Sequence, residues 1–192
     1  MDPALPSAGV LAGGAGTRFD GQDKGWLEFQ GRPLIEWVLD ALRPQVGELL
    51  ISANRNLERY ASLGARVIAD PKPADYQGPL AGMVALLGAA RAQWLLCVPC
   101  DALRVLPDLA ARFAAVVADE GTDIAVLTDD DGIHPTFCYL RVALASDARA
   151  AFESGERAPR RWFERHRVAQ LRAATPLNLN TPEALASVRL DP

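Results

Sequence analysis

Lysine is almost missing from this chain. Of 20 basic residues, 18 are arginine, and the lysines are Lys24 and Lys72 alone. Cysteine is scarce too: Cys97, Cys100 and Cys138 are too few, and odd in number, for a disulfide framework. "CVPC" has CxxC spacing, but Cys97 sits inside the apolar run "WLLCV" and not at a helix start. A zinc site needs a second ligand pair, and Cys138, His134 and His166 are scattered. The cysteines therefore read as small buried strand residues. No apolar run is long enough to span a bilayer. The start "MDPALPSAG" lacks the basic and apolar segments of a signal peptide, so a soluble cytoplasmic protein is expected. Positive charge in excess is also lacking. A net charge of −4 argues against nucleic acid or a membrane surface as partner. With 192 residues, 49% of them hydrophobic, a single well-packed domain over 1–192 is expected.

What is present is an alternation of short apolar runs and helical periods, the pattern of βαβ units. Strands are expected at 8–12, 48–53, 66–69, 93–98, 123–128 and 135–140, and again at 177–180 ("LNLN"). Leu34, Trp37, Val38 and Leu42 form one apolar helix face after Pro33. Leu80, Met83, Val84 and Leu87 form a second, and Leu106, Leu109, Phe113 and Val116 a third. Further helices are expected over 142–152 and from Thr181-Pro182-Glu183. The fold class is thus α/β, with a mostly parallel central sheet and helices on both faces. "DDD" at 129–131 reads as a hairpin tip, His134 as a packing or turn residue, and Arg157, Arg160, Arg161, Arg165 and Arg167 as a solvated basic face open to an anionic acceptor or partner.

In open parallel sheets ligands bind at the carboxyl ends of the strands. Polar features gather there. A glycine-rich stretch follows the first strand, Asn54 the second, Asp70 the third and Asp101 the fourth. The stretch "LAGGAGTRFDGQDKG" (11–25) holds five glycines, Arg18 and one of the two lysines. It is no Walker A, since no Gly-Lys-Ser/Thr ends it, and no dinucleotide fingerprint, since the third glycine would fall at Phe19. What remains is a long loop whose backbone N–H groups can face a phosphate, with Arg18 and Lys24 supplying charge. Lysine suits a phosphate oxygen as a compact point charge. In "LNLN" the period of two puts both Asn on one face and both Leu on the other, the pattern of an amphipathic edge strand with paired amides exposed.

The stretch resembles the N-terminal signature of nucleotidyltransferases, and "DKG" resembles that of the molybdenum cofactor guanylyltransferase (MobA) family. Further segments of that family appear in order: "ANR" (53–55), "GPLAG" (78–82), "PCD" (99–101), "HPT" (134–136), "GER" (155–157) and "NLNTPE" (178–183). The resemblance implies a Rossmann-like nucleotidyltransferase fold and a Mg²⁺-dependent transfer of GMP from GTP to molybdenum-molybdopterin, releasing pyrophosphate. It implies GTP contacts at Leu11, Ala12, Gly13, Lys24, Asn54, Asp70 and Asp101, with Asp101 also the metal ligand. It places Arg18, Gly21, Gly78, Gly82, Arg157, Asn178 and Asn180 toward the molybdopterin side or in support of it. Lys24, Asp101 and Arg18 are the expected catalytic residues, and cofactor-handling proteins the expected partners. Phe19-Asp20 departs from the Met-Gly common in the family at that point. A related transferase using CTP or a sugar phosphate, and a non-catalytic cofactor-delivery protein, are the alternatives.

Overall fold

The computed structural model describes residues 5–14, 22–70, 78–118, 121–174 and 177–178. Its strands are β1 (Ser7–Leu11), β2 (Glu28–Phe29), β3 (Arg32–Pro33), β4 (Glu48–Ser52), β5 (Arg66–Ile68), β6 (Trp94–Pro99), β7 (Ala102–Leu103), β8 (Ile124–Asp129), β9 (Gly132–Arg141), β10 (Val168–Arg172) and β11 (Leu177–Asn178). The helices are α1 (Leu34–Leu42), α2 (Leu57–Ala61), α3 (Pro79–Ala89), α4 (Leu109–Val116), α5 (Ala145–Glu153) and α6 (Pro159–Phe163).

Seven strands form one twisted sheet in the order β10-β8-β9-β6-β1-β4-β5. All neighbours run parallel except β9, which is antiparallel to both β6 and β8. Side-chain alternation along each strand divides the core between the two sheet faces. Val10, Ile51, Val98, Leu127 and Tyr139 pack with α1 and α4 on one face. Leu50, Cys97, Val126 and Leu140 pack with α3, α5 and Trp162 of α6 on the other. Helix α3 is buried on every side over Leu80–Leu87, because α5 covers the flank that the sheet does not. Among the described residues, no helix is long and apolar enough to cross a membrane.

Several elements differ from the sequence expectation, each for a local reason. The hairpin β2–β3 and the helices α2 and α6 are too short, at two and five residues, for periodicity to register. Pro33 stands at the N-cap of α1 and not within its first turn. The segment 142–152 divides into a 3₁₀ turn at Val142–Leu144 and α5. Strand β9 begins at Gly132, three residues before the expected start, because Asp130 and Asp131 form the turn of a hairpin with β8. The strand accommodates Pro135 through a bulge: Val126 pairs with Cys138 but Leu127 with His134. Pro135, Thr136 and Phe137 are thereby excluded from the ladder, so the missing proline N–H costs no hydrogen bond. Of "LNLN", Leu177–Asn178 form β11, antiparallel to β7. Asn180 and the helix expected from Thr181 lie outside the described residues.

Candidate functional site

The sheet order brings the carboxyl ends of β5, β4, β1 and β6 side by side along one rim. There the chain surrounds a cleft of about 370 Å³, lined by Leu11, Gly13, Gly14, Lys24, Ser52, Asp70, Gly78, Pro79, Gly82, Pro99, Cys100, Asp101 and Thr136. Pairing continues past the strand ends and draws the loops together. The Ala12 N–H donates to the Ser52 carbonyl (2.8 Å), and the Cys100 N–H to the Leu11 carbonyl (3.1 Å).

At the mouth of the glycine loop Lys24 Nζ lies 2.5 Å from Asp101 Oδ2. The carboxylate side chain is only 6% exposed and the ammonium 23%. A carboxylate that deep needs a cation, and Lys24 supplies it. Lys24 opens a 3₁₀ turn, Lys24–Trp26, closed by the Trp26 N–H on the Asp23 carbonyl (3.0 Å). The Asp23 carboxylate accepts from Tyr60 Oη (2.6 Å) and Asn56 Nδ2 (2.9 Å). Tyr60 is fully buried. Burial first, then the nearby Cys100 and the bond to Asp23, push its phenol far above the ordinary range, so it remains a donor.

Across the cleft, Asp70 is held at three points. Ser52 Oγ donates to its Oδ1 (2.7 Å), Asn54 Nδ2 donates to its Oδ2 (2.8 Å), and its own N–H donates to Asn54 Oδ1 (3.0 Å). The carboxylate plane is therefore fixed, with lone pairs left for further donors. Arg55 Nη2 reaches the Gly14 carbonyl (3.1 Å), tying the glycine loop to the same turn.

The third wall is the start of α3. Gly78 has φ 75° and ψ 173°, a region essentially closed to side chains. A Cβ there would also lie 2.9 Å from the Arg157 carbonyl. A Cβ on Gly82 would lie 2.8 Å from both Ser52 Oγ and Leu11 Cδ2, so its absence leaves room for the Ser52 hydroxyl.

The structure thus brings Leu11, Gly13, Lys24, Asp70, Gly78, Gly82 and Asp101 around one cleft, with Asn54 bonded behind Asp70 and Ala12 buried beneath. Asn178 pairs with Ala102, the residue after Asp101. Arg157 stands behind the start of α3, in a supporting place. Its guanidinium donates to the carbonyls of Phe152 (2.7 Å) and Glu156 (2.8 Å) and covers the Phe152 ring, and its carbonyl abuts Gly78. It braces the wall from behind. Glu156, held below its usual carboxylate range by the N–H groups of Ala158 and Arg157, closes the same turn. The remaining arginines fit the solvated reading, with Arg160, Arg161, Arg165 and Arg167 exposed. Arg18 and Gly21 fall outside the described residues. His134 Nε2 sits 2.7 Å from Asp129 Oδ1, beside the turn of the β8–β9 hairpin.

Ser52, Thr136, Asp23 and Tyr60 were not among the expected site residues. Ser52 was findable: it lies two residues before Asn54 in an extended run, hence on the same side. Thr136 is delivered by the β9 bulge, and Tyr60 by a one-turn helix; neither has a periodic signal. Among the described residues no group of three or more His, Cys, Asp or Glu could hold a metal.

A mostly parallel seven-stranded sheet with helices on both faces, and polar residues gathered along its carboxyl rim, is the α/β architecture of the nucleotidyltransferase fold. Residues 8–171 match the MobA-like NTP transferase domain. The chain belongs to that family. It is 47% identical over 171 residues to the molybdenum cofactor guanylyltransferase of Burkholderia ambifaria (strain MC40-6), covering 84% of this chain and 83% of the relative. It is 41% identical over 187 residues to the enzyme of the same name from Ectopseudomonas mendocina, covering 94% and 90%. In fold it is similar to molybdopterin-guanine dinucleotide biosynthesis protein A of Archaeoglobus fulgidus, with a TM-score of 0.78 at 24% identity over 94% of this chain and 95% of that one.

Proposed function

We propose that this protein transfers GMP from GTP to the terminal phosphate of molybdenum-molybdopterin, forming the guanine dinucleotide cofactor and releasing pyrophosphate. The observation that carries the reading is the Lys24–Asp101 pair, set opposite the fixed Asp70 carboxylate across one cleft. An acceptor phosphate oxygen attacks the α-phosphorus of GTP. The bond from that phosphorus to the β-phosphate oxygen breaks, and its electron pair leaves with pyrophosphate. The nucleophile is already an anion, so no general base is needed; positioning and charge neutralisation remain.

Lys24 neutralises the triphosphate at the loop mouth, and the N–H groups of the glycine loop cradle it. Asp70 offers only acceptors, which matches the N1–H and N2–H₂ donors of guanine. Gly78, Gly82 and Asn178 lie toward the acceptor. Asp101 fits Mg²⁺, a hard cation that takes one or two carboxylates and otherwise water and phosphate oxygens. When bound there the ion would supply further neutralisation of the phosphates.

The reading is tested by pyrophosphate release with each NTP, with and without molybdopterin-type acceptor and Mg²⁺. Release is expected with GTP and acceptor together, and is lost on chelation. Turnover with CTP and not GTP would transfer the site to another nucleotidyltransferase; tight GTP binding without turnover would make it a delivery protein. Asp70→Ala should relax the preference for GTP over ATP. Hydrogen bonds to a charged acceptor contribute roughly 1.5–3 kcal/mol, or about 10- to 100-fold in the ratio of kcat/KM. An unchanged ratio removes the base-reading role.

A further inference from the structure

Lys24 is a flexible side chain asked to meet a small target, so something must fix the backbone from which it springs. The preceding residue, Asp23, is immobilised by both of its oxygen-bearing groups. Its carbonyl closes the 3₁₀ turn through the Trp26 N–H, and its carboxylate is clamped by Tyr60 Oη at 2.6 Å and Asn56 Nδ2 at 2.9 Å. The clamp is rigid because Tyr60 is fully buried and lies in α2, against the core. Gly25, the residue after Lys24, is seated directly on the Tyr60 hydroxyl: a Cβ there would collide with that oxygen. The Trp26 ring packs on the Tyr60 ring, centroids 5.0 Å apart, and the Arg59 guanidinium covers Trp26 at 3.7 Å. The residues on either side of Lys24, Asp23 and Gly25, are thus both referred to one phenol, and Trp26 to its ring.

We propose that Tyr60, acting through Asp23 and Gly25, is the positioning residue that aims Lys24 at the triphosphate. It touches neither substrate nor Asp101; it sets where the ammonium stands. The proposal rests on the reading of Lys24 as the triphosphate's cation. Tyrosine is required and not phenylalanine, because the hydroxyl is both the donor to Asp23 and the surface on which Gly25 lies.

The test is a double-mutant cycle on the full chain: wild type, Tyr60→Phe, Lys24→Met and the pair together. Two quantities are read, kcat/KM for GTP in pyrophosphate release and the dissociation constant of Mg·GTP by calorimetry. With Lys24 present, Tyr60→Phe should lower kcat/KM about 10-fold and weaken Mg·GTP binding about threefold, the loss of one charge-assisted contact's alignment. In the K24M background the same substitution should change each by less than about twofold. A merely structural tyrosine lowers both backgrounds alike, so equal losses overturn the proposal, as does no loss beside Lys24. If Tyr60→Phe does not fold, Asp23→Asn is put through the same cycle with the same expected coupling. If wild type releases no pyrophosphate from GTP, the functional reading fails, and the binding cycle alone still decides whether Tyr60 acts through Lys24.

Discussion

Lys24→Met should abolish turnover to within about 0.1–1% of wild type, the loss that follows removal of a preorganised charge from a developing phosphate anion. It should also destabilise the fold. Asp101 is 6% exposed, and without its ammonium the carboxylate remains in the cleft unpaired. A fully buried pair broken in this way loses about 3–5 kcal/mol; Lys24 is 23% exposed, so about 1–3 kcal/mol is expected here. For a chain of this size, in which each kcal/mol shifts Tm by about 2–4 °C, that lowers Tm by roughly 2–12 °C. Adding Asp101→Asn to Lys24→Met removes the orphaned charge, so the double variant should regain most of the lost Tm while remaining inactive. Thermal unfolding beside pyrophosphate release checks both halves. A double variant as unstable as Lys24→Met would mean that the pair does not hold the rim, and near-normal turnover in either would remove Lys24 from the chemistry.

The second large effect is expected at Gly78. Its φ of 75° with ψ of 173° is strained for any residue with a side chain, by about 1–3 kcal/mol. A Cβ would meet a backbone oxygen, the Arg157 carbonyl, which cannot rotate away as a side chain could. Gly78→Ala should therefore cost about 2–4 kcal/mol, more than a surface Gly→Ala that favours helix would return. Because α3 begins there, the strain is relieved by displacing the helix start, and Pro79 and Gly82 move with it. Turnover should fall through the KM for the acceptor with the KM for GTP little changed, since Asp70 and Lys24 stand on other elements. Equal rises in both KM values would show that the α3 start serves the nucleotide instead.

The rim was legible in the sequence because strand order along the chain and one geometric rule place the ends of β1, β4, β5 and β6 together. Lys24 was legible through rarity, one of two lysines set in a glycine loop, and Asp70 through its place after β5. Physical chemistry local to the sequence could not reveal what holds them. The spacing of Ser52 from Asn54 put it on the right side, but that its hydroxyl donates to Asp70 at 2.7 Å shows only in the fold. The bond from Tyr60 to Asp23 spans 37 positions, and α2 has five residues, too few for a helical period. Thr136 reaches the cleft only because β9 bulges around Pro135. Arg157 was legible as a motif residue but not in how it acts: its guanidinium caps carbonyls of its own turn, the supporting place of the two that its motif allowed.

The parallel arrangement of β6, β1, β4 and β5 has a consequence for how the cleft comes into being. Its walls are drawn from residues 11, 13, 14, 24, 52, 70, 78, 79, 82, 99–101 and 136, so no fragment of one or two βα units contains it. Parallel neighbours cannot pair through a short turn, and each must await a crossover before its ladder forms. The nucleotide site therefore has no existence in a partly folded chain and appears only when the central strands have closed. A ligand held in the cleft is therefore a ligand of the whole sheet, and on the proposed reading GTP would stabilise every element from β5 to β9 at once.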